Sequence, residues 1–257
     1  MRGRKGGRLA SRARRSTEIL GQRLAGLRTL GRSHVEIDGV RLALGPELSL
    51  RMRGVLARGS YEAAERRVLA RTLEDDDRVL EIGTGVGLLA VLCARRLASD
   101  RVHTFEANPA LEPLIRRNFA LNGVSPSLAI AILAEGEGTR TFHVPRDFWA
   151  GSEVPHARWR GAPGHLARSS KPVAVPTRPL HETLTRLRPT FLVVDTEGGE
   201  AELARIWDLG GVRKLLVEVH AAAIGREAVA AVERSIEAQG LRNVPELSFG
   251  HSRFFAR

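Results

Sequence analysis

The run Glu81-Ile82-Gly83-Thr84-Gly85-Val86-Gly87 limits what this chain can fold into more than any other stretch. It follows the short apolar run Arg78-Val79-Leu80 and leads into the strongly apolar segment from Leu88 to Leu97. Apolar residues without polar alternation, closed by glycines and followed by a helical pattern, predict a buried strand, a tight turn and a helix. Glycines let the backbone turn sharply and approach a ligand where a Cβ would stand in the way. Val102-His103-Thr104-Phe105 reads as the next strand and ends on Glu106, nineteen residues past Gly87. An acid at that place can accept hydrogen bonds from both ribose hydroxyls of an adenosine. The two features together predict a nucleoside-cofactor site at the carboxyl edge of a sheet.

The spacing bears on which nucleoside. A dinucleotide fingerprint requires G-x-G-x-x-G; Gly83 and Gly85 fit, but Leu88 holds the third position and Gly87 falls one residue early. G-x-G-x-G preceded by an acid fits S-adenosylmethionine better. That cofactor lacks a pyrophosphate and carries a cationic sulfur, which tolerates nearby acids. Glu81, Gly83, Thr84, Gly85 and Gly87 are therefore the expected cofactor-binding residues of the turn.

Around this turn, strand and helix patterns alternate. Residues 61–73 have helical spacing, Pro109 opens a helix that Asn122-Gly123 terminates, and Pro179 to Leu187 is a short helix. Leu128 to Leu133 and Thr139 to Val144 read as strands, and 145–171 as irregular. Phe191 to Val194 is a buried-type strand ending at Asp195, followed by a helix from about Gly198, the strand Lys214 to Val219 and a helix from Glu227 to Gln239. This alternation predicts an α/β fold with an open, mostly parallel sheet covered by helices on both faces.

Charge is unevenly distributed. Residues 1–32 carry ten Lys/Arg and one acid, Glu18, a net of +9 out of +11 for the chain. The body is close to balanced, so the basic character belongs to the tail. Residues 1–32 are read as a basic, flexible tail and 33–257 as one domain. The tail is either a solvated terminus or an arm for an acidic partner, a lipid surface or nucleic acid; Ile19, Leu20, Leu24, Leu27 and Leu30 would give a short helix a partly apolar face. Cys93 is the single cysteine, which excludes an internal disulfide and a C-x-x-C metal or redox site. No apolar run reaches the roughly 18 residues of a membrane span, and no apolar core follows the basic start as in a secretory signal. The Arg- and Ala-rich composition reads as bacterial, and a cytoplasmic location is expected.

VLEIGTGVG (79–87), TFEANP (104–109), Asn118-Phe119-Ala120-Leu121-Asn122-Gly123 and VDTEGGE (194–200) together resemble the FkbM-type methyltransferases, with YEAAE (61–65) and VEVH (217–220) in keeping. The resemblance covers about residues 35–257. It implies a Rossmann-like class I methyltransferase fold with an antiparallel C-terminal strand. It also implies S-adenosylmethionine as cofactor and O-methylation of a hydroxyl on a small molecule, sugar or glycolipid. Glu81, Gly83, Gly85 and Gly87 would line the methionine part, Glu106 would hold the ribose, and Ala107 and Asn108 would flank the adenine.

Methyl transfer requires an acceptor on the methyl axis and a group that takes its proton. Asp195, Glu197, Glu218 and His220 should stand at the carboxyl edge of the sheet. His220 is a candidate general base because an imidazole titrates near neutrality; the competing reading is a hydrogen-bonded histidine at a strand end. Asp195 and Glu197 are candidates to act as base or to orient the acceptor. Binding of a divalent ion by Asp195, Glu197 and Glu200 is the lesser reading, because acids in a first helical turn are favoured by its dipole. No metal site is assigned. Tyr61 either closes over the cofactor or simply precedes a helix. The segment 145–171, with Trp149 and Trp159, is either a substrate lid or a surface insert; Tyr61, Trp149, Trp159 and Glu218 are the candidate substrate contacts. A small-molecule or glycan acceptor is expected and a nucleic acid is not. Amino-methylating enzymes of bases carry an Asn/Asp-Pro-Pro-aromatic run where this chain has Asp195-Thr196-Glu197-Gly198. A nucleic-acid methyltransferase and a non-catalytic cofactor-binding module remain the alternatives, and the oligomeric state is left open.

Overall fold

The computed structural model describes residues 17–144 and 170–257. The chain divides into two compact units, one ending at Tyr61 and the other running from Glu62 to Arg257.

In the first unit, α1 (17–27) is helical within the stretch read as a flexible tail. The strands β1 (His34–Ile37) and β2 (Val40–Ala43) pair antiparallel, with Ile37 opposite Val40. Asp38 and Gly39, both at positive φ (48° and 77°), form the two-residue turn, the conformation that matches the twist of a hairpin. The helix α2 (Leu50–Ala57) starts at Ser49, whose hydroxyl accepts from the Met52 amide at 3.1 Å. α1 and α2 meet backbone to backbone. A Cβ at Gly26 would lie 1.8 Å from the Leu50 carbonyl oxygen, and one at Gly54 would lie 1.7 Å from that of Gln22.

The second unit is built on a seven-stranded sheet. Its strands are β3 (Val79–Ile82), β4 (Val102–Glu106), β5 (Ser127–Ile130), β9 (Phe191–Val194), β10 (Lys214–Glu218), β11 (Arg242–Asn243) and β12 (Ser252–Ala256). The order is β11-β12-β10-β9-β3-β4-β5. β3, β4, β5, β9 and β10 are parallel, whereas β12 runs antiparallel to both β10 and β11. This is the Rossmann-like class I methyltransferase fold, including the expected antiparallel C-terminal strand. β3 and β9 are buried at every position, as strands covered on both faces must be.

Alternation along β3 sends Leu80 and Ile82 to one face and Val79 and Glu81 to the other. On the first face, α6 (Leu180–Leu187), α7 (Glu200–Ile206) and α9 (Arg226–Ala238) supply Leu180, Leu184, Leu203, Val232 and Ile236 to a core shared with Leu80, Leu192, Leu215 and Phe255. α3 (Ala63–Thr72), α4 (Leu88–Leu97) and α5 (Glu112–Leu121) pack in succession against one another, and α4 lies on β4. A single helical turn, α8 (Ala221–Ile224), follows β10. No helix among the described residues is long and apolar enough to cross a membrane.

A second, three-stranded sheet joins β6 (Ile132–Ala134), β7 (Gly138–Val144) and β8 (Lys171–Pro179) in the order β6-β8-β7. The run expected as one strand, 128–133, therefore breaks at Ala131 and serves two sheets. β8 was not expected, because Pro172 and Pro176 interrupt it. β8 pairs with β7 over Lys171–Thr177 but with β6 only at Thr177–Pro179, so Pro172 and Pro176 lie where one side needs no ladder bond.

The amino-terminal edge of the large sheet is tied by charge. Asp77 is fully buried and accepts from Lys214 Nζ (2.7 Å), Thr190 Oγ1 (2.8 Å) and Arg213 (3.0 Å). Lys214 also donates to Glu74 (2.6 Å) and to the Thr72 carbonyl (2.8 Å). The acidic trio Glu74-Asp76-Asp77 is thus already neutralised by Lys214 and Arg213.

Candidate functional site

The parallel register assembles the site. Ile82 pairs with Phe105 on one side and Val194 on the other, so Gly83, Glu106 and Asp195 emerge side by side at the carboxyl edge. The Gly83 amide donates to the Phe105 carbonyl and the Asp195 amide to the Ile82 carbonyl, each at 2.8 Å. Gly83 sits at φ +97°, and a Cβ there would meet the Asp195 carbonyl oxygen at 1.7 Å. Only glycine lets the turn lie against the end of β9. Gly85 and Gly87 also have positive φ (57° and 82°).

Glu106 closes the turn from the next strand. Its Oε2 accepts from the Gly85 amide at 2.9 Å and its Oε1 from the Asn108 amide at 2.7 Å. Burial pushes its pKa up to about 6 against these lowering hydrogen bonds. Asn108 is buried and its side chain accepts from the Ala110 amide at 3.1 Å, which fixes the chain as it leaves β4. Ala107 packs against Ile132, Phe142 and Val175 of the small sheet.

Thr84 and Glu81 lie beneath the turn. Thr84 is wholly buried and its hydroxyl meets that of Thr104, which donates to Glu81 Oε2 at 2.5 Å. Burial, with the nearby Glu106 charge, raises Glu81 to about 8 despite the Thr104 hydrogen bond; its Oε1 is buried without a hydrogen-bond partner. Thr84 therefore reaches the site through its backbone, its side chain being turned inward.

The second half of the site surrounds His220. Its Nε2 lies 3.3 Å from Glu197 Oε2 and 3.7 Å from both Asp195 Oδ1 and Glu218 Oε1; its Nδ1 lies 3.4 Å from Glu200 Oε1. The structure brings Asp195, Glu197, Glu218 and His220 together. Burial opposes a charge on His220, but the close approach of Glu200 and the charges of Glu197 and Asp195 prevail and push it up to about 10. Four carboxylates within 3.7 Å of the ring favour its protonated, cationic form. Burial raises Asp195, Glu197 and Glu218 well above the ordinary carboxylate range, and neighbouring acids add to it; the His220 charge only partly offsets this. Glu200 behaves oppositely: its contacts with His220 outweigh its burial and lower it. Asp195, Glu218 and His220 each present an atom within 4.8 Å of the others, a spacing that could accommodate a divalent ion.

Two contributions were not foreseen from sequence, which offered Glu200 only as a lesser candidate metal ligand and did not offer Glu65. Glu200 is fully buried and accepts from the His220 amide (2.7 Å) and the Gly198 amide (2.8 Å), joining the ends of β9 and β10. Glu65 of α3 is buried, accepts from the Ser252 hydroxyl, and its charge raises both Asp195 and Glu218. The 187-residue separation of Glu65 and Ser252 leaves no local signal. Tyr61 is the last residue of the first unit and directly precedes Glu62, the residue before α3. Trp149 and Trp159, and the segment read as a lid, lie outside the described residues.

Residues 57–141 match the TRM5/TYW2 methyltransferase domain family. A protein named as a protein N5-glutamine methyltransferase of Methanocaldococcus jannaschii is 34% identical over 96 residues, which is 36% of this chain and 42% of the relative. The chain thus spans about two fifths of that relative's length. Among solved structures, the tRNA (uracil-54, C5)-methyltransferase of Pyrococcus abyssi in complex with S-adenosyl-L-homocysteine aligns with TM-score 0.45 at 14% identity, covering 88% of this chain and 44% of that one. TYW2 of M. jannaschii in complex with AdoMet aligns with TM-score 0.39 at 11% identity, covering 87% and 85%.

These matches correct two expectations. The FkbM resemblance does not stand: three of the runs that carried it, 79–87, 104–109 and 118–123, lie in the stretch that matches the TRM5/TYW2 domain instead. The physical reason is that a glycine turn and a ribose acid serve cofactor binding across many methyltransferases, so they do not discriminate among acceptors. The exclusion of nucleic acid as a partner falls with it, because the matching family model is that of the TRM5/TYW2 domain and the curated relative is named for a protein glutamine, neither of them a small hydroxylated molecule.

Proposed function

We propose that this chain is an S-adenosylmethionine-dependent methyltransferase whose acceptor is a nucleophile on a nucleic-acid base, of the kind the TRM5/TYW2 match suggests. The observation that carries the reading is the register placing the Gly83 turn, Glu106 and Asp195 at one sheet edge beside the His220 cluster. The residues fit the cofactor. Glu106 is engaged by one backbone amide on each oxygen and retains acceptor capacity for ribose hydroxyls. Ala107 offers a small apolar wall for the base, and the acid cluster suits a cationic neighbour. When bound, the cofactor supplies a methyl group on a positively charged sulfur.

Asp195 is the group we assign to receive the acceptor's proton. It adjoins the Gly83 turn, its side chain is 31% exposed, and its Oδ1 has no hydrogen-bond partner. A carboxyl held above its ordinary range is a stronger base near neutrality, and a cation bound beside it favours its ionised form. His220, as an imidazolium, holds Asp195, Glu197 and Glu218 at fixed distances from one another. Glu197 and Glu218 complete the acceptor side. A protein glutamine amide is the second reading, supported by the 34% identical relative.

Calorimetric titration of S-adenosylmethionine into the chain and into Glu106→Ala tests the first step. Loss of two charge-assisted hydrogen bonds should weaken binding about ten- to hundredfold. Incubation with labelled cofactor and either bulk tRNA or bulk protein then separates the acceptors. Equal binding by Glu106→Ala, with its fold intact, would overturn the cofactor assignment. Label in protein alone would move the acceptor to the second reading.

A further inference from the structure

The first unit carries an exposed apolar surface on α1. Along α1, Glu18, Gln22 and Gly26 recur at helical spacing on one face; Gly26 and Gln22 meet α2 and Arg51, and Gln22 also bonds Glu18. Leu20, Leu24 and Leu27 recur on the opposite face and are 57%, 53% and 46% exposed, with Leu30 beyond them at 62%. The helix thus packs by its glycine and turns its leucines outward. Arg23 and Arg28 flank the leucine stripe, both exposed, and the only acid of the segment points the other way. Seven cationic side chains and no acid precede it in residues 1–16.

We propose that α1 is an in-plane anchor for an anionic phospholipid bilayer. The leucines would enter the boundary between headgroups and acyl chains, with Arg23, Arg28 and Arg32 at the lipid phosphates. An outward apolar stripe flanked by arginines, with the acid on the far face, is the arrangement such a surface selects. Each cation near an anionic leaflet adds attraction that decays within a Debye length. A polyanion such as RNA would use the arginines but has no use for the leucines, and this is what favours the bilayer. The inference is independent of the acceptor chosen by the second unit.

Vesicle flotation of the full chain tests it, with phosphatidylcholine alone and with phosphatidylcholine mixed with phosphatidylglycerol. The chain should float with the mixed vesicles and remain behind with phosphatidylcholine. The triple variant Leu20→Gln/Leu24→Gln/Leu27→Gln should lose partitioning about a hundredfold, while circular dichroism and S-adenosylmethionine binding stay unchanged because all three side chains already face solvent. Failure to float with anionic vesicles overturns the proposal. So does equal flotation of the triple variant, which would leave a purely electrostatic tail. A dimer that the same variant dissociates, without vesicle binding, would assign the stripe to a second copy; RNA binding without vesicle binding would assign the cations to RNA.

Discussion

Glu200 holds His220 twice, accepting from its backbone amide at 2.7 Å while its Oε1 lies 3.4 Å from the ring Nδ1. The same carboxylate also accepts from the Gly198 amide, so one buried side chain fixes both the position and the charge of the imidazole. Glu200→Gln keeps the shape and removes the charge. The His220 titration, followed by the NMR shift of its ring protons, should move down from about 10 by one unit or more. Methyl transfer should fall about tenfold or more with cofactor affinity little changed. A titration that stays put would show that Glu197 and Asp195 set the charge without Glu200.

The whole cluster makes stability depend on pH in a definite sense. His220 is raised in the folded state, so its contribution is full below its unfolded value near 6.5 and is lost as pH climbs toward about 10. Asp195, Glu197 and Glu218 are raised too, to about 8, so they also make the folded chain bind more protons than the unfolded one, from their ordinary carboxylate range up to about pH 8. Thermal unfolding by circular dichroism should give a lower midpoint at about pH 9 than at about pH 6. His220→Gln should shallow that slope; an unchanged slope would place its origin elsewhere.

Gly83→Ala tests the contact that sets the turn against β9. The added Cβ meets a carbonyl oxygen at 1.7 Å and the residue sits at φ +97°. Neither can relax without moving the end of a buried strand, so a loss of more than about 3 kcal/mol is expected in urea unfolding. A loss below about 1 kcal/mol would mean that Asp195 is not held where the register puts it.

At the opposite edge, Asp77→Asn should damage the fold and spare the chemistry. Removing the charge that faces buried Lys214 costs about 3–5 kcal/mol, yet S-adenosylmethionine affinity in the remaining folded protein should be unaltered. Burial raises Asp77, but Lys214, Glu74 and Thr190 together lower it. Its contribution is therefore present above the unfolded pKa and lost as acid drives pH through the lower folded value. The variant should show a flatter acid limb in a pH series of melting curves.

What the residues disclosed in advance was what a local pattern can carry. The glycine turn, Glu106 and the acids after β9 each sit at the junction of two elements, and such junctions announce themselves by periodicity changing across a few residues. The split of 128–133 at Ala131 was hidden because both halves are apolar and the break is a change of sheet rather than of pattern. β8 was hidden because Pro172 and Pro176 argue against a strand unless one side is known to be unpaired. His220 was found, but its charge depends on four carboxylates delivered from three segments, and no window of sequence contains that sum. Family membership was misread for a related reason, since the runs used are shared machinery rather than acceptor chemistry.

The small sheet has a property of its own. Val144 and Lys171 face each other across the last rung of the β7–β8 ladder, so the chain leaves and re-enters at a single rung. Whatever occupies the interval is attached to the fold at one narrow gate. Lengthening or exchanging it costs little more than the slowly growing entropy of closing a loop. Arg140, on the same strand, grips Glu202 two residues beyond Glu200, so the gate stays anchored beside the acid cluster. The architecture therefore works as a socket: the stretch between these two neighbouring backbone positions can be exchanged without altering the strand order of either sheet.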